Sequence, residues 1–236
     1  MSQVHFILQG KGGVGKTFVS SIFAQFAKKS GKDTLCLDTD PVNASFTGFK
    51  SLNVKPIDIM SGNSLDIGKF DNLIEIILAT DSNIVIDTGA STFLPLSSYL
   101  EDSNAISILM DSGKKVLLHV VLTGGQSQND SLTGLSGIAK RLGQKAPILI
   151  WANEFFGPVI DLEETMIFKE NAHKIMSVIT IHERQKATFG KDIAQMLERK
   201  LTFDEAIGSV DFNTMAKQRI KITRDAIFTQ LEGLPL

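Results

Sequence analysis

Short apolar runs alternate with stretches of helical periodicity along most of the chain. Residues 4–8, 34–37, 83–86, 115–122 and 148–151 read as buried strands, and 175–181 as a weaker one with polar flanks. Between them, 16–29, 70–80 and 130–142 read as helices. In the first of these, Val19, Ile22, Phe23, Phe26 and Ala27 share a face and Gly31 follows as a stop. Residues 97–111 read as one or two short helices, and about 190–199, 203–207 and 213–231 as further ones. This alternation predicts an α/β fold, a mainly parallel sheet flanked by helices. No repeat or long linker divides the chain, so 1–236 reads as a single domain with a helical C-terminal part from about 189. The least regular stretches, 41–69 and 153–171, read as functional loops.

Composition narrows the setting. At 236 residues, 43% hydrophobic and 21% charged, the chain is able to bury a sizeable core. Its formal net charge of −2 argues against coating nucleic acid through overall charge. Cys36 is the only cysteine, so no internal disulfide and no CxxC metal motif is possible. His5, His119, His173 and His182 lack ligand spacing and read as ordinary core or surface residues. The N-terminus runs straight into a strand, unlike a signal peptide, and no apolar run reaches the roughly 18 residues of a membrane span. The expectation is a cytoplasmic protein without a transmembrane segment.

Gly10 to Thr17 reads GKGGVGKT, a full G-x-x-x-x-G-K-[ST] phosphate loop lying between a buried strand and an amphipathic helix. Gly10, Gly12, Gly13 and Gly15 let backbone N–H groups converge on phosphate oxygens, with Lys11, Val14 and Phe18 completing the loop and its exit. Lys16 would reach the β- and γ-phosphates, and the Thr17 hydroxyl would hold Mg²⁺. Further along, Asp38 and Asp40 end one strand (LDTDP), Asp87 ends another (NIVID), and Thr88-Gly89-Ala90 follows. A carboxylate carried to a strand's C-terminal edge beside the loop is the Walker B arrangement, with Asp87 as a Mg²⁺ ligand. Asn153, just beyond a strand, offers the donor and acceptor that adenine requires, and no guanine-type NKxD motif is present.

The loop resembles the deviant Walker A motif of the ParA/MinD family of P-loop ATPases. The resemblance rests on KGGVGKT, DTDP and NIVID in order and covers about 4–153. It implies that Lys11 crosses the interface of an ATP-sandwich homodimer and contacts the partner's nucleotide. It also implies that Asp38 helps hold the Mg²⁺ hydration shell, that Asp40 orients the attacking water, that the Gly89 amide lies near the γ-phosphate, and that Asn153 reads adenine. The sequence reads DPVNA where the family more often has DPQGN, so Asn43 inherits no role. Over its whole length the chain is most similar to the TraL/StbB-type ATPases of conjugative plasmids, through FILQGKGGVGKTFVSSIFAQF, DTDPVNASF, LLHVVLTGG and MAKQRIKITRDAIF. That subgroup implies a role in plasmid transfer or maintenance, with a DNA-binding adaptor or the conjugation apparatus as partner.

Near the C-terminus, Ala216, Ile220, Thr223, Ile227 and Leu231 recur at helical spacing beside Lys217, Arg219, Lys221 and Arg224. A docked helix with a solvated basic face is the simpler reading; direct contact with DNA or a peripheral membrane surface stays open. The function expected is a Mg²⁺-dependent, partner-stimulated ATPase that dimerises with ATP. The alternatives are a metabolic P-loop enzyme (a kinase or ATP-dependent ligase), a metal-cluster carrier and a binding module without hydrolysis. Lys11 argues against the first, the lone cysteine against the second, and Asp38, Asp40 and Asp87 against the third.

Overall fold

The computed structural model describes residues 2–235. Its centre is a seven-stranded sheet in which every hydrogen-bonded pair is parallel. The strands are β1 (Gln3–Leu8), β2 (Thr34–Asp38), β3 (Lys55–Pro56), β6 (Asn83–Asp87), β7 (Lys115–Thr123), β8 (Ile148–Asn153) and β9 (Ile175–Ile181), in the order β3-β2-β6-β1-β7-β8-β9. A two-residue-per-strand hairpin, β4 (Met60–Ser61) and β5 (Ser64–Leu65), stands apart. The order reverses direction around β1, which opens a crevice at the strands' C-terminal ends, where ligands of open α/β sheets bind.

Strand alternation divides the core into two layers. Val4, Phe6 and Leu8 of β1 face the side covered by α2 (Phe70–Leu78), α3 (Ala90–Asp102), α4 (Ala105–Asp111) and α5 (Gln128–Arg141). Ile7 faces the side that carries α1 (Lys16–Lys29), α7 (Lys191–Glu198), α8 (Phe203–Gly208) and α9 (Thr214–Glu232), while α6 (Met166–Asn171) packs against α5. The C-terminal helices clamp α1: Phe18 packs against Phe203, Phe26 against Phe228, and Gln25 Oε1 accepts from the Phe203 amide at 2.8 Å. The predicted stripe Ala216, Ile220, Thr223, Ile227 and Leu231 is buried. Arg219 pairs with Asp192 at 2.5 Å, and Arg224 with Asp204 and Asp225, so two of that helix's four basic groups are already neutralised.

The structure departs most from the periodicity in two places. α3 begins at Ala90, seven residues before the periodicity suggests, with Pro95 inside it. Residues 41–69 hold β3, the hairpin and 3₁₀ turns, elements too short to leave a periodic pattern.

His5 and His119 are core residues with a task the spacing does not reveal. The Trp151 indole N–H donates to His119 Nδ1 at 2.9 Å, which leaves the His119 proton on Nε2, donated to His5 Nδ1 at 2.9 Å. The His5 proton then lies on Nε2, which is buried without a partner. The chain ties β8, β7 and β1 together behind the phosphate loop. Burial lowers both imidazoles, His119 to about 3. Their folded values lie below the unfolded one, so their stabilisation is full above about pH 6.5 and fades as the pH falls toward 3. Asp87, raised to about 7 by burial, works in the opposite direction, so the effect must be read as a difference between proteins. His119→Gln should lower stability at neutral pH, and by about pH 5 its gap to wild type should narrow by about 2 kcal/mol. A gap that stays constant in urea titrations at both pH values would show that His119 is not held neutral.

Candidate functional site

The loop between β1 and α1 closes over a cleft of about 520 Å³ lined by Gly12, Gly13, Gly15, Lys16, Thr17 and Asp40, among others. Gly13 (φ 76°) and Gly15 (φ 100°) take left-handed backbone, which side-chain-bearing residues rarely adopt. Gly15 is also pressed by Asn153, since a Cβ there would lie 2.6 Å from Nδ2. Lys16 is almost buried, and its ammonium donates back to the Lys11 carbonyl at 3.1 Å. Burial lowers its pKa, while Asp87 and Asp40 favour the charged form. The free amides of the α1 N-terminus add a partial positive charge at the same place.

Asp87 lies at the end of β6, 2% exposed. Its Oδ2 accepts from the Thr17 hydroxyl and its Oδ1 from the Ser20 hydroxyl, both at 2.7 Å. Thr17 lines the cleft and Asp87 lies directly behind it, and their hard oxygen donors are a set that suits Mg²⁺ rather than a soft metal. Asp38 is equally buried but its oxygens face the chain: Oδ1 accepts from the Asp40 amide, and Oδ2 from those of Phe46 and Thr47. Burial raises its pKa against those three bonds. Asp40 takes the Val42 and Asn43 amides on Oδ1 at 3.0 Å. Gly89 caps α3 directly against it, and a Cβ at Gly89 would stand 2.7 Å from the Asp40 carboxyl carbon. The two loops that flank the cleft therefore meet at Asp40 and Gly89.

Lys11 turns away from this cleft. Its ammonium pairs with Asp130 of α5 at 2.7 Å, with the side chains 40% and 59% exposed, and it borders a separate groove with Phe93, Leu94, Gly134 and Arg141.

Residues 5–200 match the family model described as the CobQ/CobB/MinD/ParA nucleotide binding domain. The chain belongs to this family. Two proteins named TraL from Escherichia coli are 39% and 37% identical to it over 237 aligned residues, covering 99% of this chain and 98% of each relative. Among solved structures, a chain of the MinC:MinD cell division protein complex of Aquifex aeolicus superposes with a TM-score of 0.57 at 19% identity, covering 100% of this chain and 98% of its own length, a likeness of fold. The CobQ/CobB/MinD/ParA assignment agrees with the parallel sheet and the loop between β1 and α1.

Within this domain, Gly12, Gly13, Gly15, Lys16, Thr17 and Asp40 line the cleft, Asp87 is bonded to Thr17 and Gly89 stands against Asp40, whereas Gly10 lines the separate groove beside Lys11 and Val14 is buried in the core. Asp38 holds the Asp40 amide with Oδ1 and the turn at 46–47 with Oδ2, so both of its oxygens already serve the protein's own backbone. Asn153 is likewise bonded to the protein's own backbone. Its Nδ2 donates to the Val14 carbonyl at 2.8 Å, its Oδ1 accepts from the Phe155 amide, and the residue is 2% exposed, so it braces the phosphate loop. Phe18 lies beyond Thr17 in a small apolar cavity with Phe155, Arg184 and Phe189, the guanidinium lying 4.9 Å from the Phe189 ring. Sequence reasoning missed Ser20 and Thr39. Ser20 left a signal, a serine one turn past Thr17 on the buried face of α1. Thr39, which donates through both its amide and hydroxyl to the Asp87 carbonyl at 2.9 Å, left none.

Proposed function

We propose that this protein is a Mg²⁺-dependent ATPase that closes into a homodimer around ATP and opens after hydrolysis. The observation that carries the reading is the division of labour between the two lysines of one loop. Lys16 serves its own cleft, whereas Lys11 points out of it to a half-exposed ion pair on α5. A cation that does not serve its own nucleotide is free to serve one bound by a second copy, which ties hydrolysis to association.

In this mechanism the loop amides and Lys16 hold the triphosphate, and Thr17 and Asp87 hold the metal, with Ser20 fixing the carboxylate's orientation. Mg²⁺, when bound, neutralises charge on the β- and γ-phosphate oxygens. Asp40 lines the phosphate cleft and accepts a hydrogen bond from the attacking water, and Lys11 of the second copy stabilises charge developing in the transition state. Such a chain hydrolyses slowly until a partner completes its geometry. Full-length similarity to the two TraL proteins supports a setting in plasmid transfer or maintenance. Pairing of Arg219 and Arg224 with carboxylates favours a protein partner, an adaptor or the conjugation apparatus, over DNA or lipid gripped by α9. Among the described residues no helix is long and apolar enough to cross a membrane, and we place the action of the protein in the cytoplasm.

Asp40→Ala should retain ATP and the ATP-driven dimer while turnover falls by about 10²- to 10⁴-fold. Phosphate-release assays paired with light scattering check this; turnover at the wild-type rate would remove Asp40 from the chemistry.

A further inference from the structure

A glycine in the interior of a helix weakens it, yet α5 carries Gly134 in its second turn. The structure supplies the reason: a Cβ at Gly134 would lie 2.0 Å from Gln9 Oε1. The gap admits a fully buried glutamine side chain from the residue just before the phosphate loop. All four of its hydrogen-bonding positions are used. Nε2 donates to the Val121 carbonyl at 2.9 Å and the Ser131 carbonyl at 3.0 Å, and Oε1 accepts from the amides of Gly10 at 2.9 Å and Lys11 at 3.4 Å. Val121 is on β7 and Ser131 on α5, so one amide joins the sheet, the helix and the first turn of the loop.

Lys11 is held from three sides by this arrangement. Its N–H goes to Gln9, its carbonyl accepts the Lys16 ammonium, and its own ammonium goes to Asp130. Asp130 and Gly134 are four residues apart and share a face of α5. That face thus meets the lysine twice, at its backbone through Gln9 and at its side chain through Asp130.

We propose that Gln9, seated in the Gly134 gap, is a positioning residue for Lys11, setting the direction in which the lysine leaves the loop toward a second copy of this chain. This rests on the reading of Lys11 as a cation acting in trans. Neither Gln9 nor the two loop residues whose amides it accepts, Gly10 and Lys11, line the phosphate cleft, so its main effect falls on association rather than on nucleotide binding by the monomer.

The test is a double-mutant cycle of Gln9→Ala and Gly134→Ala, with ATP-driven self-association followed by sedimentation and monomer affinity followed with a fluorescent ATP analogue. Each single variant should weaken association by about tenfold while analogue affinity changes by less than about threefold, which also reports that the variant is folded. In the Gln9→Ala background, Gly134→Ala should add no further loss, because the methyl group enters the space the glutamine left. Additive losses, or wild-type association in Gln9→Ala, would overturn the positioning role. Absence of ATP-driven association in the wild type would overturn the trans reading and this role with it.

Discussion

Lys16→Ala should remove most of the affinity for ATP. The ammonium is almost buried at the cleft between the loop amides and the carboxylates of Asp87 and Asp40. Removing one member of a buried, hydrogen-bonded charge pair costs about 2–5 kcal/mol, or roughly 30- to several-thousand-fold in Kd. Folding should be spared, because burying that ammonium is itself unfavourable in the nucleotide-free chain, as its lowered pKa reports. Isothermal titration with ATP and Mg²⁺, alongside a thermal melt without nucleotide, separates the two effects. Tight binding retained by a folded Lys16→Ala protein would place the triphosphate elsewhere.

Lys11→Ala, five residues away in the same loop, should have the opposite profile. It removes an exposed ion pair worth about 0–1 kcal/mol, so stability should be unaffected. Monomer affinity for ATP should stay within a few-fold, since the side chain lies outside its own cleft. Association with ATP should fall by about 10²-fold or more, because a desolvated lysine–phosphate contact across an interface is lost. Concentration-dependent light scattering in ATP checks this. A variant that dimerises normally would make Lys11 a surface residue.

What was legible in the sequence follows from the range of the interactions involved. The phosphate loop was readable because its chemistry lies in consecutive backbone amides, and glycine is demanded where φ is positive, as at Gly13 and Gly15. Asp87 was readable because a strand end fixes where a carboxylate points. The strands and most helices followed from periodicity, with the first turns of α3, around Pro95, left out of the reading. Gln9, His5 and His119 gave no sign. The His5–His119 bond and the bonds of Gln9 to Val121 and Ser131 each span more than 110 residues of sequence, and no local pattern encodes which strand or helix will face them. Asp38 and Asn153 show the converse. Each lies where the family motif expects it, yet the structure commits its polar atoms to the protein's own backbone.

Sedimentation velocity of the wild-type protein with Mg²⁺, compared in ATP under non-hydrolysing conditions, in ADP and without nucleotide, tests the central claim most directly. The account predicts a species of twice the monomer mass in ATP alone, absent for Lys11→Ala, and monomer in the other two conditions. A monomer in all three, with ATP bound, would contradict it.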